Sequence, residues 1–325
     1  MTRHTTASNS SGLRGSAKVR LGPEGVHLFD RDTGLNILLD EVSPPEADWS
    51  LGPRFVSFAL TNACELECAY CYAPKHVARL EAEAMVAWAV ELDAAGTLGI
   101  GFGGGEPTLF PGFATLCRGI HDRTRLALSA TTHGHRWTGN LVDAVGDSIQ
   151  FLRVSMDGIG STYEKLRGRP FEAFAVKLRL IASNYRFGVN VVVNENTLPE
   201  LDAIADFAFR HGAQELLLLP EVGPDARSVL SASDHEALDH WVGRNYRDRR
   251  LAISATSAET IASPLLPLTV PGFADRDFMH VDASAVLRLC AYGGEGLHLT
   301  RNSSIIDSIS QLRTSTKPLK GGVIS

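Results

Sequence analysis

The chain has 325 residues, 44% of them hydrophobic and 21% charged, which is the composition of a folded globular protein and excludes a disordered or fibrous one. Its formal net charge of -6 argues against a large nucleic-acid interface, which is normally basic. The longest apolar stretches, such as Ala84 to Val90, fall far short of the ~20 residues that span a membrane. Residues 1–16 are polar and lack the apolar segment of a secretory signal, so the sequence predicts a cytoplasmic protein.

The N-terminal part of the chain divides into two predicted segments. Residues 1–16 are expected to form a disordered leader. Residues 17–51 are expected to form an N-terminal β-hairpin region, because apolar and polar residues partly alternate there around turn signals at Gly22-Pro23 and Asp32-Thr33-Gly34.

Between residues 52 and 225, segments typical of strands alternate with segments typical of helices. This order predicts parallel βα units. Six units are too few for a closed eight-fold barrel, which leaves an open, partial (βα)6 barrel or a doubly wound sheet. The strands are expected near residues 54–60, 98–103, 126–132, 149–155, 187–193 and 214–220, and the helices near residues 79–95, 111–124, 137–146, 171–184 and 199–211.

After residue 225 the alternation weakens. Residues 226–300 are expected to form a small C-terminal α+β extension, with a helix near 233–249, a proline-rich loop near 261–275 and a hairpin near 278–290. The polar residues 301–325 are expected to form a flexible tail.

The five cysteines are not distributed like a disulfide framework. Three of them, Cys64, Cys68 and Cys71, lie within eight residues on the loop after the first strand of the βα array. In a reducing compartment such a cluster is more typical of a metal site than of disulfides. Three thiolates leave a coordination position open, as in catalytic metal sites, unless His76 or a distant ligand completes a zinc site.

The Cys64-x3-Cys68-x2-Cys71 pattern, with an aromatic residue before the last cysteine, resembles the signature of the radical S-adenosylmethionine (SAM) superfamily. Gly104-Gly105-Glu106-Pro107, after the second strand, resembles the GGEP motif of that family. Thr131-Thr132-His133-Gly134, after the third strand, is similar to its Thr-Asn-Gly segment, with His133 in the place where asparagine is usual.

A fourth segment extends the resemblance. Ser155-Met156-Asp157-Gly158, after the fourth strand, followed by Arg167-Gly168, resembles the Ser-x-Asp-Gly and Arg-Gly run of the peptide-modifying and cofactor-maturing branches. The resemblance covers about residues 52–225. It implies an α/β fold with a partial (βα)6 radical SAM barrel as its core.

The resemblance implies two cofactors, one site-differentiated 4Fe-4S cluster and SAM. Cys64, Cys68 and Cys71 would bind three irons, and the amine and carboxylate of SAM would chelate the fourth. Reductive cleavage of SAM would give a 5'-deoxyadenosyl radical that abstracts a substrate hydrogen atom. The electron would come from a donor such as flavodoxin or ferredoxin.

The resemblance further implies SAM contacts at the C-terminal ends of the strands. Glycines allow the backbone to approach the methionine amine, Glu106 can accept from that amine, and the Arg167 guanidinium matches a carboxylate. Ser155 would reach the ribose or the carboxylate, and Tyr70 would flank the adenine. The expected cofactor-binding residues are Tyr70, Gly104, Gly105, Glu106, Thr132, Ser155, Arg167 and Asn194.

Residues 278–290 faintly resemble the start of the SPASM or twitch extension, in which several cysteines bind auxiliary clusters. Cys290 is the only cysteine after Cys117, whereas a further cluster needs about four thiolates. We therefore expect a single cluster per chain. Cys290 is expected to be a packed core thiol or, if it faces the barrel mouth, a hydrogen-atom donor to the substrate radical.

Three functions remain open at this point. The motifs favour a radical SAM enzyme that modifies a ribosomally made peptide. The alternatives are a radical SAM enzyme acting on a small molecule, such as a sugar, nucleotide or cofactor precursor, and a non-catalytic metal-binding protein. No nucleic-acid or membrane partner is expected, and the sequence leaves the substrate and the bond changed undefined.

Overall fold

The computed structural model describes residues 17–223, 228–253 and 273–315, and the expected leader, residues 1–16, lies outside them. These residues form a three-stranded and a ten-stranded sheet. The strands are β1 (Lys18–Gly22), β2 (Gly25–Asp30), β3 (Leu35–Leu39), β4 (Phe55–Thr61), β5 (Gly99–Gly104), β6 (Ala127–Thr132), β7 (Phe151–Ser155), β8 (Phe187–Val193), β9 (Leu216–Pro220), β10 (Leu251–Ile253), β11 (Phe278–Val281), β12 (Val286–Arg288) and β13 (Gly296–His298). The α-helices are α1 (Ala82–Ala94), α2 (Phe113–His121), α3 (Gly139–Val145), α4 (Ser161–Arg167), α5 (Phe171–Ala182), α6 (Leu201–Arg210), α7 (Ala232–Asn245), α8 (Ala274–Asp277) and α9 (Ile305–Ser315).

The core of the larger sheet is a partial barrel. Strands β4 to β9 lie side by side in sequence order, and each pairs in parallel with the next. A doubly wound sheet would reverse its strand order at one point, and this one does not. On β4 the alternate residues Val56, Phe58 and Leu60 are buried on the helix-covered side, and the Phe58 ring stacks on Trp88 of α1. The predicted partial (βα)6 barrel is confirmed.

The three-stranded antiparallel sheet β1-β2-β3 confirms the predicted N-terminal hairpin region. It lies across the N-terminal ends of the barrel strands. The guanidinium of Arg20 on β1 is buried and donates to the carbonyl oxygens of Gly52 and Arg276, which precede β4 and β11. Lys18 donates to the carbonyl of Thr97, which precedes β5. This end of the barrel is therefore closed by the chain itself.

The C-terminal segment adds strands to both edges of the barrel sheet. Strand β10 pairs in parallel with β9 at one edge, and β11 pairs in parallel with β4 at the other. The hairpin expected near residues 278–290 is present as β11 and β12, and β13 continues it. Helix α7 corresponds to the helix expected near 233–249, while most of the expected proline-rich loop, residues 254–272, lies outside the described residues.

The expectation of a flexible tail from residue 301 is wrong for residues 305–315, which form α9. Ile305, Ile309 and Leu312 repeat at helical spacing and are buried, and Trp88 of α1 donates to the carbonyl of Ser303 just before the helix. In the sequence these apolar residues stand among polar ones, so the helix was not predicted. Residues 316–325 lie outside the described part of the chain. Among the described helices, none combines the length and the apolar character that crossing a membrane requires.

Candidate functional site

The three clustered cysteines lie on the loop that follows β4. All three are free thiols of intermediate exposure. The base of the loop is closed by two hydrogen bonds, from the Asn62 amide to the Ala78 carbonyl (3.0 Å) and from the Leu80 amide to the Leu60 carbonyl (3.0 Å). These bonds fix both ends of the loop to one barrel strand, so the thiols are held at the C-terminal end of the barrel.

The spacing of the thiols bears on which metal they fit. Among the described residues, Cys64, Cys68 and Cys71 do not form a group whose sulfur atoms all lie within 4.8 Å of one another, and His76 joins no such group either. A single zinc ion bound at about 2.3 Å per sulfur would require closer thiols. Cysteines that each bind a different iron of a cluster need not approach so closely. The arrangement therefore favours the cluster over a zinc ion held by these three thiols.

The two glycines of the GGEP motif allow β5 to contact the cysteine loop. Gly104 has a positive φ of 108°, and a Cβ atom there would lie 2.4 Å from the Thr61 carbonyl oxygen. A Cβ at Gly105 would lie 2.2 Å from the carbonyl oxygen of Ala63. The Gly105 amide instead donates to Thr61 at 2.7 Å. The packing of the chain therefore requires glycine at both positions, whether or not a cofactor also approaches the backbone there.

Glu106 is fully buried and joins the ends of β5 and β6. Its Oε1 accepts from the hydroxyls of Thr108 (2.7 Å) and Thr132 (2.8 Å), and its Oε2 accepts from the His133 amide (3.0 Å). The His133 ring nitrogen Nε2 lies 3.3 Å from Glu106 Oε2 and 3.2 Å from Glu65 Oε2. A direct bond from Glu106 to SAM would have to replace one of these bonds.

The Thr132 hydroxyl is fully used within the chain. Its hydroxyl donates to Glu106 and accepts from the Gly134 amide (3.0 Å) and the Trp137 indole N–H (3.3 Å), which uses its one donor and both lone pairs. In this structure the Thr132 hydroxyl holds Glu106 in place, and its contact with SAM stays a prediction.

His133 and Glu65 form a contact that the sequence did not suggest. Cys64 Sγ, a carboxylate oxygen of Glu65 and a ring nitrogen of His133 all lie within 4.8 Å of one another. Burial raises the pKa of the Cys64 thiol, the Leu66 amide acts in the opposite direction, and Glu106 and Glu65 raise it further. In the sequence, this contact was indicated only by His133, which stands where the Thr-Asn-Gly segment usually has asparagine.

A second buried network connects Arg167 and Tyr70, two of the expected SAM contacts, with Asp157. Asp157 is fully buried, forms an ion pair with Arg167, and accepts from the Tyr70 hydroxyl at 2.5 Å. Arg167 Nη1 lies 3.8 Å from Cys68 Sγ. Asp157 was not predicted as a site residue, although it belongs to the Ser-x-Asp-Gly segment. The network thus joins Tyr70 of the cysteine loop, through Asp157, to Arg167 at the end of α4.

Ser155 and Asn194 differ in how much of their polar surface is free. Ser155 is the last residue of β7, is half-buried, and its hydroxyl has no hydrogen-bond partner within the described part of the chain. The Asn194 side chain donates to Glu221 (2.8 Å) and accepts from the amides of Asn196 and Thr197. Asn194 therefore holds the turn after β8 and retains one N–H, whereas Ser155 remains fully available.

A cavity of about 600 Å³ lies between the cysteine loop and the β11–β12 hairpin. Its walls include Tyr70 and Cys71 from the loop, Gly104 from β5, Glu221 after β9, and His280 from β11. It lies at the C-terminal ends of the strands, where barrels of this type place their sites.

Cys290 lies on the turn after β12, beside this cavity. It is half-buried, and its Sγ lies 3.6 Å from the Gly293 carbonyl oxygen. The expectation of a packed core thiol is wrong, because the strand ends at Arg288 and leaves Cys290 on the turn. The possible role as a hydrogen-atom donor stays a prediction.

His280 is a cavity residue that was not among the expected site residues. Its Nδ1 lies 2.6 Å from the Ser57 hydroxyl on the neighbouring β4. Burial lowers the pKa of His280 to about 4, with Asp282 opposing and Arg288 reinforcing the shift. In the sequence, the position of His280 was indicated by the alternation along β11, which places it on the opposite face from Met279 and Val281. The cavity wall thus presents a neutral imidazole near pH 7.

Comparison with known proteins gives the following matches. Residues 58–208 match the model of the radical SAM superfamily. The chain is 25% identical over 219 residues to the AdoMet-dependent heme synthase of Methanosarcina barkeri, covering 63% of this chain and 62% of that protein. It is 27% identical over 168 residues to the sporulation killing factor maturation protein SkfB of Bacillus subtilis, covering 50% and 41%. The chain thus matches less than two thirds of the length of either relative.

The fold is also similar to that of Streptococcus suis SuiB in its crystal structure with the precursor peptide SuiA. The TM-score is 0.70 at 12% identity, and the similarity covers 90% of this chain and 86% of SuiB. At this identity the likeness concerns the fold alone.

Proposed function

We propose that this chain is a radical SAM enzyme that modifies a ribosomally made peptide. The match of residues 58–208 to the radical SAM superfamily, whose members use a 4Fe-4S cluster and SAM, supports the class of enzyme. The observation that supports the cofactors is the set of three half-buried thiols at the C-terminal end of the barrel, which are spaced too widely for one zinc ion. Three thiolates leave the fourth iron free for SAM.

Each part of the site has a task in this proposal. Cys64, Cys68 and Cys71 hold the cluster, and the glycine pair keeps the cysteine loop against β5. When bound, the cluster and SAM supply reductive cleavage of the sulfonium and a radical that abstracts a hydrogen atom from the substrate. An electron donor such as flavodoxin or ferredoxin supplies the electron.

The chain's free polar groups indicate where SAM would be held. The Ser155 hydroxyl has no partner among the described residues, and Arg167 Nε is buried without a partner within that same part of the chain. A buried N–H without a partner is costly, so a ligand atom that accepts from it is favoured. These two groups fit the ribose and the carboxylate of SAM.

The cavity supplies the space for a reacting group beside the cysteine loop. Its volume of about 600 Å³ lies within the roughly 300–1,000 Å³ of pockets that hold one small ligand. In this proposal a single side chain of the peptide enters it. The similarity to SkfB, a maturation protein by name, supports the choice of a peptide.

A second candidate is an enzyme that acts on a cofactor precursor. The similarity to the heme synthase, which covers more of this chain than the similarity to SkfB does, favours it. A tetrapyrrole would have to enter the cavity as a whole or by one substituent.

The test uses the anaerobically reconstituted chain with SAM and dithionite. Short peptides encoded beside the gene should raise the formation of 5'-deoxyadenosine and change in mass, whereas iron-coproporphyrin III should do neither. The variant in which Cys64, Cys68 and Cys71 are all alanine should contain no iron and form no 5'-deoxyadenosine. Stimulation by the porphyrin alone would select the second candidate, and cleavage of SAM by the triple variant would contradict both.

A further inference from the structure

A buried arginine lies against one of the three cluster cysteines. Arg167 ends α4, its side chain is 11% exposed, and its Nη1 lies 3.8 Å from Cys68 Sγ, within hydrogen-bonding range of a sulfur. Hydrogen bonds to ligand sulfurs and nearby charges are among the factors that set the reduction potential of an iron–sulfur cluster. The contact is thus of the kind that tunes a cluster as well as stabilising the fold.

The guanidinium is held in this orientation from two sides. Its Nη2 forms an ion pair with the fully buried Asp157, which also accepts from the Val192 amide at 2.7 Å. The same carboxylate accepts from the Tyr70 hydroxyl, and the Tyr70 ring centre lies 5.8 Å from the guanidinium carbon. Since Tyr70 belongs to the cysteine loop, Arg167 cannot turn away from Cys68 without breaking bonds on both sides.

Arg167 carries its positive charge at this buried position, because a guanidinium stays protonated in proteins and the fully buried Asp157 forms an ion pair with it. A fixed positive charge beside a thiolate ligand stabilises the reduced cluster, which has one more negative charge than the oxidised cluster.

We propose that Arg167 is a positioning residue that acts through Cys68, donating an N–H to the thiolate and raising the midpoint potential of the cluster. Asp157 and Tyr70 fix it there. The step affected is the one-electron reduction of the cluster by the external donor. This inference rests on the proposed function, since it requires a cluster at Cys68.

The experiment measures the midpoint potential of the reconstituted cluster, without SAM, by a redox titration followed by electron paramagnetic resonance. Arg167→Met should lower the reduced-to-oxidised ratio at a fixed potential about tenfold, which equals a shift of about 59 mV to more negative values. Arg167→Lys should shift it less, because lysine keeps the charge but loses the fork-shaped guanidinium. Arg169→Met is the matched control: it removes the same charge from an exposed side chain two residues away and should leave the potential unchanged.

A double variant separates the hydrogen bond from the charge of Asp157. Arg167→Met with Asp157→Asn removes both charges of the pair, yet its potential should stay below that of the wild type because the N–H donor to Cys68 is still missing. A wild-type potential in the double variant would overturn the inference, as would equal potentials in the Arg167→Met and Arg169→Met proteins.

Iron content distinguishes the two levels of failure. About four irons in the wild type are required by the proposed function, and their absence would refute that function. Four irons with an unchanged potential in the Arg167 variants would refute only the inference. Loss of iron from all three Arg167 variants would give Arg167 a purely structural role and would also overturn it.

Discussion

The two ends of the barrel each contain a buried arginine, and the two arginines are used differently. At the N-terminal end, Arg20 donates from all three guanidinium nitrogens, to Glu24, Gly52 and Arg276. At the C-terminal end, Arg167 pairs with Asp157, points to a cysteine sulfur, and leaves Nε without a partner among the described residues.

The comparison separates a structural end from a functional end. At Arg20, the Glu24 carboxylate and the backbone carbonyls that precede two strands accept from the guanidinium, and the group holds the fold together. At Arg167, Nη1 lies near the Cys68 sulfur and Nε is buried without a partner among the described residues, which agrees with a ligand at this end as proposed above. The same division between a stabilising N-terminal face and a functional C-terminal face is general for βα barrels.

The largest expected effect is on the free energy of unfolding. It lies at the N-terminal end of the barrel, the end that the chain itself closes. Arg20→Met leaves Glu24 buried without its partner, and breaking one side of a buried ion pair costs about 3–5 kcal/mol in the free energy of unfolding. Chemical denaturation should show this loss, while the iron content per folded molecule stays at the wild-type value. The exposed Arg123→Met is the control and should stay within about 0.5 kcal/mol. A proportional loss of iron in Arg20→Met would break the division between the two ends.

The next effect lies at the C-terminal end of the barrel, called the open end below. It concerns the affinity for SAM and not the free energy of unfolding. Ser155→Ala should leave the cluster and the free energy of unfolding nearly unchanged but weaken SAM binding, since its free hydroxyl is expected to contact a charged cofactor. The loss of one such bond costs about 1.5–3 kcal/mol, or roughly a tenfold to hundredfold increase in Kd.

Anaerobic calorimetry on the four-iron protein measures this Kd directly. Ser129→Ala, on the neighbouring β6, is the control because its hydroxyl already donates to the Ile100 carbonyl. Equal affinities in wild type and Ser155→Ala would remove Ser155 from the SAM site.

A third effect depends on pH and concerns the cavity wall. The pKa of His280 is lowered to about 4 in the folded chain, against about 6.5 when unfolded. The unfolded chain therefore binds an extra proton between these values, so His280 contributes stability above pH 6.5 that is lost as the pH falls toward 4. Between pH 6.5 and pH 5 the loss is about 2 kcal/mol at most.

Denaturant melts at both pH values should show a smaller pH-dependent loss in His280→Gln than in the wild type. His76→Gln, at an exposed position, should behave like the wild type. The same pH dependence in all three proteins would show that His280 is not buried in its neutral form.

The sequence predicted the features that depend on local patterns. The βα alternation, the cysteine loop and the GGEP turn are each read within a few neighbouring residues, and the partial barrel is confirmed. Contacts between distant segments could not be read in this way. Arg167 contacts Cys68, which lies 99 residues earlier in the sequence. Strand β11 pairs with β4 although more than 200 residues separate them.

The same limit explains what the sequence did not show. Its motif predicts that Thr132 contacts SAM, but the sequence did not indicate that its hydroxyl bonds to Glu106, Gly134 and Trp137. Helix α9 was missed because its four apolar residues stand among polar ones, and three of them become a buried face only when α1 is there to cover them. Propensity and pattern are local, whereas these outcomes are decided by tertiary packing.

The smallest expected effect tests whether the open end holds a single cluster. Cys290 lies on the turn after β12, its Sγ near the Gly293 carbonyl and beside the wall of the cavity. A second cluster would need about four thiolates, and the chain has only five cysteines, three of which are on the β4 loop. Of the other two, Cys117 is buried on α2 with a pKa raised by burial, so a thiolate there is disfavoured.

Iron and sulfide counts after anaerobic reconstitution and desalting should give about four irons in both the wild type and Cys290→Ala. About eight irons in the wild type, falling to four in the variant, would mean that Cys290 and groups near it bind a second cluster, and the open end would then hold two metal centres.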